Sequence, residues 1–191
     1  MLTLQDFRDT GALLSGHFRL SSGLHSDTYL QCARLLQWPR RAEAAGRELA
    51  EKLRELAPQV VRSPALGGLI IGHETARALG TRFVFVERPE GAFVLRRGFG
   101  LEPAERVAVV EDVFTTGKST REAAAAAEKA GGSVVAVASV VDRGLPAGAF
   151  AVPARSLLSL SVPAWPEAEC PICRKGVPLD TPGSRFARPA G

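Results

Sequence analysis

Residues 107–120 decide the fold, and they read V-A-V-V-E-D-V-F-T-T-G-K-S-T. The first four, residues 107–110, are all aliphatic, which is typical of a strand that is covered on both faces. A turn rich in hydroxyl groups follows and leads into a helical pattern at residues 120–130. The next aliphatic run is V-V-A-V-A-S-V-V at residues 134–141. A strand, a helix and a second strand in this order predict parallel pairing in an α/β sheet.

The same alternation extends towards the N-terminus. The spacing of apolar residues predicts helices at residues 3–14, 39–56 and 69–79. Short β-branched or aromatic runs predict strands at residues 60–61 and 83–86, and a hairpin from residues 17–20 and 28–33. We therefore expect an α/β fold with a central, mainly parallel sheet flanked by helices. Its last strand is residues 134–141, and its ligands bind at the carboxyl ends of the strands.

Length and composition describe one globular domain over residues 1–191. The chain is 46% hydrophobic and 23% charged, which suffices for a core that needs no disulfide or metal. The N-terminus carries acidic residues where a secretory signal is basic. The longest aliphatic run, residues 134–141, is far shorter than the roughly 20 residues that cross a bilayer. A cytoplasmic protein without membrane association is expected.

The charge balance calls for an anionic partner. The net charge is +4 and the sequence pI is about 9.3, so nucleic acid and a phosphorylated small molecule both have to be considered. Composition does not separate them, because nucleic-acid binding needs the basic residues on one face. The motifs must decide.

Two acidic residues and a hydroxyl-rich turn follow residues 107–110. The G-K-S at residues 117–119 matches the end of a nucleotide-binding P-loop. Asp112, however, stands where that motif has its first glycine, and it would repel phosphates. Backbone N–H groups at a helix start suit one terminal phosphate, and carboxylates accept hydrogen bonds from vicinal hydroxyls. Glu111 and Asp112 with the turn at residues 115–120 therefore favour a receptor for ribose 5-phosphate over simple capping.

The segment V-V-E-D-V-F-T-T-G-K-S-T resembles the phosphoribosyl pyrophosphate (PRPP) signature of the type I phosphoribosyltransferases. These enzymes move ribose 5-phosphate from PRPP to a nitrogen base. The resemblance implies an α/β sheet with a smaller hood, formed mainly by residues 1–35 with part of the C-terminal region. The PRPP contacts it implies in this segment are Glu111, Asp112, Val113, Phe114, Thr115, Thr116, Gly117, Lys118 and Ser119.

Three further segments resemble the orotate phosphoribosyltransferases in particular. Residues 16–33 are similar to that family's amino-terminal F-x-L-x-S-G-x-x-S segment. The S-P-A-L-G-G at residues 63–68 is similar to its pyrophosphate loop, and the V-V-D-R-G at residues 140–144 to a segment that contacts orotate. With the PRPP signature, these segments cover most of the chain.

The resemblance implies that Thr115, Arg143 and Tyr29 bind or approach orotate. Orotate is an anion, so an arginine beside the base offers a charge-assisted clamp that a purine would not need. Purine and uracil phosphoribosyltransferases remain alternatives. A PRPP-sensing transcription regulator of the same fold is another. It would need a DNA-binding domain or a continuous basic face, whereas here basic and acidic residues are interleaved.

Residues 87–100 carry three arginines, Arg88, Arg96 and Arg97, and no lysine or histidine. In the family this region is a mobile loop that closes over the pyrophosphate, usually in the neighbouring subunit of a homodimer. Arginine does not readily give up a proton. Arg88 is therefore expected to assist the leaving group by charge and hydrogen bonding. The alternative is a solvated loop whose arginines serve solubility.

The resemblance also implies a mechanism. Glu111 and Asp112 hold the ribose and stabilise positive charge at C1, while residues 115–119 hold the 5-phosphate. The backbone of Gly67 and Gly68 holds the pyrophosphate together with Mg²⁺, which is carried on PRPP oxygens and water. The products are orotidine 5′-monophosphate and pyrophosphate, a step of pyrimidine (UMP) biosynthesis. No nucleic-acid partner is expected.

The C-P-I-C at residues 170–173 has half the spacing of a zinc site. Completing it would require Cys32 or histidines that are distant in sequence, so a structural tail without metal is the favoured interpretation, and no metal-ligating residue is predicted. His25 lies in the base-side segment, where it has access to substrate. Residues 181–191 are rich in proline, glycine and basic residues and are expected to be a mobile end.

Overall fold

The computed structural model describes residues 1–20 and 22–182. Its helices are α1 (Leu4–Asp9), α2 (Ala33–Leu36), α3 (Pro39–Leu53), α4 (Gly68–Leu79) and α5 (Lys118–Lys129). Its strands are β1 (Leu13–Arg19), β2 (His25–Leu30), β3 (Val60–Pro64), β4 (Arg82–Glu87), β5 (Val94–Leu95), β6 (Arg106–Phe114), β7 (Ser133–Asp142) and β8 (Ala154–Ser159). Short 3₁₀ turns lie at Arg54–Leu56, Glu167–Glu169 and Cys173–Lys175.

Six strands form the central sheet in the order β5-β4-β3-β6-β7-β8. Every neighbouring pair is parallel except β4 with the short strand β5. This confirms the predicted α/β fold with a mainly parallel sheet. Strand β6 lies at the centre, between β3 and β7, so the motif that decides the fold also occupies its middle.

The central strands bury both of their faces. On one face, Val61 and Val110 join a core that includes Leu49 of α3 and Ile71 of α4. On the other, valines of β3, β6 and β7 pack with Ala123 and Ala127 of α5 in a second core. Burying aliphatic side chains on both faces is the main favourable free energy available to such a sheet.

Local signals set the ends of the long helices. Pro39 is the first residue of α3, where its missing N–H costs nothing. Helix α4 ends at Gly80, which has a φ of +73°, a value that glycine adopts without strain. The first predicted helix is wrong in extent: α1 ends at Asp9, and residues 13–14 belong to β1.

Two further predictions about the sheet are wrong. Residues 134–141 are not its last strand, because β8 pairs parallel with β7. The sequence of β8, A-R-S-L-L-S, lacks β-branched residues. Because β8 is an edge strand, only part of each side chain is buried. The acids also do not follow β6: the strand continues to Phe114, with Val113 opposite Val141. Glu111 and Asp112 are therefore strand residues.

Strands β1 and β2 form a separate antiparallel hairpin. The C-terminal segment, residues 163–182, lies along this hairpin. His25 and Trp165 exchange backbone hydrogen bonds of 2.8 Å, and the Ser26 hydroxyl donates to the Pro163 carbonyl at 2.7 Å. Asp180 forms a parallel bridge to Phe18: its carbonyl accepts from the Arg19 N–H at 2.9 Å, and its N–H donates to the His17 carbonyl at 2.8 Å. Residues that are far apart in the chain thus form one small unit.

In residues 1–20 and 22–182, no helix has the length and apolar character needed to cross a membrane. Most of the predicted mobile end, residues 183–191, lies outside the described residues.

Arg62 on β3 is fully buried, and none of its guanidinium nitrogens has a hydrogen-bond partner among the described residues. Burial lowers its pKa to about 10, so the group is still charged at neutral pH. A buried charge without a partner opposes folding.

Replacing Arg62 with methionine should raise the free energy of unfolding by about 1–4 kcal/mol, because an unbranched apolar chain takes the place of an unpaired charge. Urea denaturation measures the change. The exposed Arg40→Met variant is the control and should stay within about 0.5 kcal/mol of the parent. A less stable Arg62→Met protein would contradict the prediction.

Candidate active site

The carboxyl ends of β3, β6 and β7 lie at one edge of the sheet, and the connection from β3 to α4 lies against β6 there. A Cβ atom added at Gly67 would lie 2.8 Å from Asp112 Oδ2, and one at Gly68 would lie 2.9 Å from the Val110 carbonyl oxygen. Such approaches are too close for any side chain. Glycines at residues 67 and 68 therefore let the loop backbone lie directly against the acid pair.

The Glu111 carboxylate connects β6 to the start of α5. Glu111 is 7% exposed, and its Oε2 accepts hydrogen bonds from the hydroxyls of Ser119 at 3.0 Å and Thr120 at 3.4 Å. Asp112 Oδ1 accepts from the backbone N–H of Val113 at 2.9 Å. The two acids are therefore held by different partners.

Burial changes the protonation of this acid pair. Burial and the neighbouring Asp112 charge together raise the pKa of Glu111 to about 8, against lowering effects from Ser119, Thr120 and Arg88. Burial also raises the pKa of Asp112. Two carboxylates this close and this buried disfavour a double negative charge. At neutral pH the pair therefore holds a proton on Glu111.

The turn between β6 and α5 is shaped to leave backbone groups accessible. Gly117 precedes the helix with a φ of +71°, and a Cβ there would lie 2.9 Å from the Phe150 ring. Arg121 Nη1 donates to the Thr116 carbonyl at 2.9 Å, which fixes the turn from below. Thr115, Thr116 and Lys118 are exposed. The positive end of α5 is thus presented to solvent beside the acids.

Val113 and Phe114 contribute differently from the other residues of the motif. Phe114 is fully buried, with its ring 5.3 Å from that of Phe150, and Val113 packs against the core on the other face. Only their backbone atoms are available to a ligand.

A cavity of about 370 Å³ lies beside the turn. It combines predicted site residues with residues of the hairpin and the C-terminal segment. Its lining is Leu20, Ser22, Leu24, Thr115, Thr116, Arg143, Gly144 and Ala164. Thr115 and Arg143, which are predicted to contact the base, therefore share one cavity.

Arg143 lines this cavity, and one donor of its guanidinium is buried inside the protein. Its Nε has no hydrogen-bond partner among the described residues, and burial lowers its pKa. Asp142 Oδ1 accepts from the backbone N–H groups of Gly144 at 2.9 Å and Leu145 at 2.7 Å, which fixes the turn that carries Arg143. A half-buried guanidinium that lines a cavity favours an anionic acceptor there.

Tyr29 does not line the cavity. Its ring lies 5.7 Å from that of Phe18 on the hairpin, and its hydroxyl is near enough to Arg143 for that charge to lower its pKa, although burial raises it more. Tyr29 therefore lies within electrostatic range of Arg143.

Two of the three loop arginines, Arg88 and Arg97, form ion pairs with carboxylates. Arg88 pairs with Glu122 of α5 and lies 4.1 Å above the Phe93 ring. Arg97 pairs with Glu87 at 2.9 Å, and Arg96 is exposed. The structure brings Arg88 near enough to Glu111 to influence its pKa, whereas Arg97 stays paired at the base of the loop.

Sequence reasoning missed Ala164 in the cavity lining. It lies in V-P-A-W, which carries no recognisable signal, and only the pairing of Trp165 with His25 brings it to the site. Leu20 and Leu24 lie within the quoted amino-terminal segment, but their side chains had no assigned role. The turn-forming sequence between them was the available signal.

Comparisons with known proteins agree with this geometry. The chain is 52% identical over 185 residues to the orotate phosphoribosyltransferase of Erythrobacter litoralis, covering 95% of this chain and 96% of that protein. It is 50% identical over 184 residues to that of Heliobacterium modesticaldum, covering 95% and 96%. The solved orotate phosphoribosyltransferase from Aeropyrum pernix matches with a TM-score of 0.69 at 29% identity, covering 83% of this chain and 94% of that chain. No family model matches the chain.

The raised pKa of Glu111 predicts a specific dependence of stability on pH. Below its ordinary value of 4.5 the carboxyl is protonated in both states; between 4.5 and about 8 only the unfolded state ionises, so folding is increasingly penalised. Glu111→Gln removes this penalty. Its gain in unfolding free energy over the parent should grow across that range and then level off.

Urea denaturation at pH values across this range measures the effect. Glu128→Gln, which changes an exposed carboxylate of α5, is the control and should show no comparable rise. A gain from Glu111→Gln that is the same at every pH would show that Glu111 ionises normally in the folded protein.

Proposed function

The chain belongs to the orotate phosphoribosyltransferase family, and from this premise we propose how its own residues carry out the family's reaction. The enzyme transfers ribose 5-phosphate from PRPP to orotate, giving orotidine 5′-monophosphate and pyrophosphate in pyrimidine biosynthesis. The observation that carries this conclusion is the sequence identity of 50–52% to members of the family over 95% of the chain.

The turn at residues 115–119 holds the 5-phosphate. Its accessible N–H groups and the positive end of α5 favour a dianion, and Lys118 adds a positive charge. The preceding acids accept hydrogen bonds from the ribose hydroxyls. Asp112 has one carboxylate oxygen, Oδ2, left beside Gly67, where the leaving pyrophosphate meets the ribose.

The acid pair stabilises positive charge at C1 as pyrophosphate leaves. Because these carboxylates are fixed by hydrogen bonds and shielded from water, they need little reorganisation as charge develops. Glu111 carries a proton in the free enzyme. PRPP is itself an anion, so the positive charges that favour loss of this proton are the accompanying Mg²⁺ and the charge that develops at C1.

Mg²⁺ is the cofactor proposed with PRPP. Two carboxylates beside a glycine-lined phosphate loop suit a cation that arrives on phosphate oxygens and keeps water ligands, and no side chain of this chain is assigned to hold it directly. When bound, Mg²⁺ neutralises charge on the pyrophosphate.

Orotate occupies the cavity next to the turn. The Arg143 guanidinium binds its carboxylate and Thr115 orients the ring, so that a ring nitrogen faces C1. The hairpin and the C-terminal segment close the far wall, and we assign them as the family's hood. Tyr29 lies within electrostatic range of Arg143.

Arg88, Arg96 and Arg97 act on the pyrophosphate from the loop at residues 87–100. Arg88 is the loop arginine that influences the acid pair. When the loop closes, Arg88 leaves Glu122 and binds a phosphate oxygen of the pyrophosphate. In a homodimer this loop serves the neighbouring subunit's site. The dimer and the loop closure belong to the proposal.

A panel of bases tests the substrate. With PRPP and Mg²⁺, pyrophosphate release should depend on orotate and exceed that with uracil, which lacks only the carboxylate, by about 10³-fold or more. Arg143→Gln should remove most of this preference, whereas Arg155→Gln, on the exposed edge strand, should keep it. Turnover with adenine or hypoxanthine instead of orotate would overturn the assignment.

Asp112→Asn tests the acid pair. The amide keeps the shape but not the charge, so kcat should fall by about 10²–10³-fold while the thermal unfolding midpoint stays close to the parent value. Asp9→Asn, which changes an exposed acid of α1, is the matched control and should retain full activity. A fully active Asp112→Asn enzyme would remove Asp112 from the mechanism.

A further inference from the structure

A second cluster of chemically reactive groups lies away from the acids. His17 and His25 of the hairpin meet Cys170 and Cys173 of the C-terminal segment, and one ligand atom from each lies within 4.8 Å of all the others. The two histidines and Cys170 are buried, and Cys173 is half-buried. The favoured interpretation of a tail without metal relied on the distance in sequence between the histidines and the cysteines, and the fold brings these residues together.

The hairpin produces this meeting. Its pairing places Arg19 opposite His25, so His17 and His25 lie near one another on neighbouring strands. The backbone N–H of Asp180 donates to the His17 carbonyl at 2.8 Å, and Trp165 pairs with His25. These contacts hold the C-terminal segment on both sides of residues 170–173. The cluster therefore belongs to ordered backbone and not to a loose tail.

The distances match those of a tetrahedral metal site. His17 Nε2 lies 3.1 Å from His25 Nδ1, 3.6 Å from Cys170 Sγ and 3.5 Å from Cys173 Sγ, and His25 Nδ1 lies 3.2 Å from Cys173 Sγ. Zinc bonds of usual length at tetrahedral angles separate two nitrogens by about 3.3 Å and a nitrogen from a sulfur by about 3.6 Å. The four ligand atoms lie within 4.8 Å of one another, which is close enough for them to share one ion.

The outer hydrogen bond of His17 supports the same conclusion. Its Nδ1 lies 2.8 Å from the Val177 carbonyl oxygen, which can only accept, so Nδ1 carries the proton. Nε2 then directs a lone pair at His25 and the two sulfurs. A backbone carbonyl that holds the second ring nitrogen in this way is the usual support of a metal-binding histidine.

We propose that His17, His25, Cys170 and Cys173 bind one Zn²⁺ ion in a closed structural site. Two thiolates and two imidazoles select zinc over Mg²⁺, which prefers oxygen ligands. Four protein ligands leave no open position, so the ion takes no part in phosphoribosyl transfer. It fastens residues 170–173 to the hairpin that supplies Leu20 and Leu24 to the cavity.

Metal analysis of the full-length protein, produced without an affinity tag in zinc-containing medium, tests the site. The parent should carry about one zinc per chain. Cys170→Ser/Cys173→Ser and His17→Asn should each carry less than about one tenth of that amount. Cys32→Ser and His73→Gln change a cysteine and a histidine outside the cluster and should keep the metal.

Cobalt substitution identifies the ligands even if a variant folds poorly. The parent, depleted with a chelator and loaded with Co²⁺, should show the intense visible bands of tetrahedral cobalt and sulfur-to-cobalt charge transfer. Removal of zinc should also lower the thermal unfolding midpoint by several degrees, reversibly on adding zinc.

Three results would overturn the proposal. One is a parent protein without zinc that gives no cobalt bands. Another is a Cys170–Cys173 disulfide in the protein purified under reducing conditions. The third is zinc that remains in the double cysteine variant. Because metal content is measured separately from turnover, none of these results depends on the proposed reaction.

Discussion

The burial of the Glu111 carboxylate near the end of β6, three residues before the strand ends at Phe114, is the constraint on which the site depends. An acid there is tolerated because Ser119 and Thr120 donate to it, and these donors are available because Gly117 turns the chain into α5 directly above the strand. Gly67 and Gly68 then allow the neighbouring loop to approach. Sheet, helix start and phosphate loop are thus fixed around one charge-bearing position.

The central architecture could be predicted because its determinants are local. The aliphatic runs of β6 and β7, Pro39 at the start of α3 and the apolar spacing of α4 are all legible in short windows of sequence. Strand β8 could not be found, because an edge strand with helix-forming residues gains its identity only by pairing with β7. The same limit hid Ala164 and the cysteine–histidine cluster, which join residues about 150 positions apart.

The net positive charge of the chain does not show which of its basic residues are free to bind an anion. The sequence indicates that basic residues gather around two anionic substrates. In the structure, Arg82, Arg88 and Arg97 pair with Glu105, Glu122 and Glu87, so much of the basic count is locally balanced. The Arg143 guanidinium and the open start of α5 are better sources of attraction, because neither requires a partner to be released first.

The position of the C-terminal segment bears on when this protein becomes competent during its synthesis. Residues 163–180 are made long after the hairpin formed by β1 and β2, yet they supply Ala164 to the base cavity and hydrogen-bond to that hairpin. By then every strand of the central sheet has been made. During synthesis the base cavity is therefore completed only after the strands of the sheet are present.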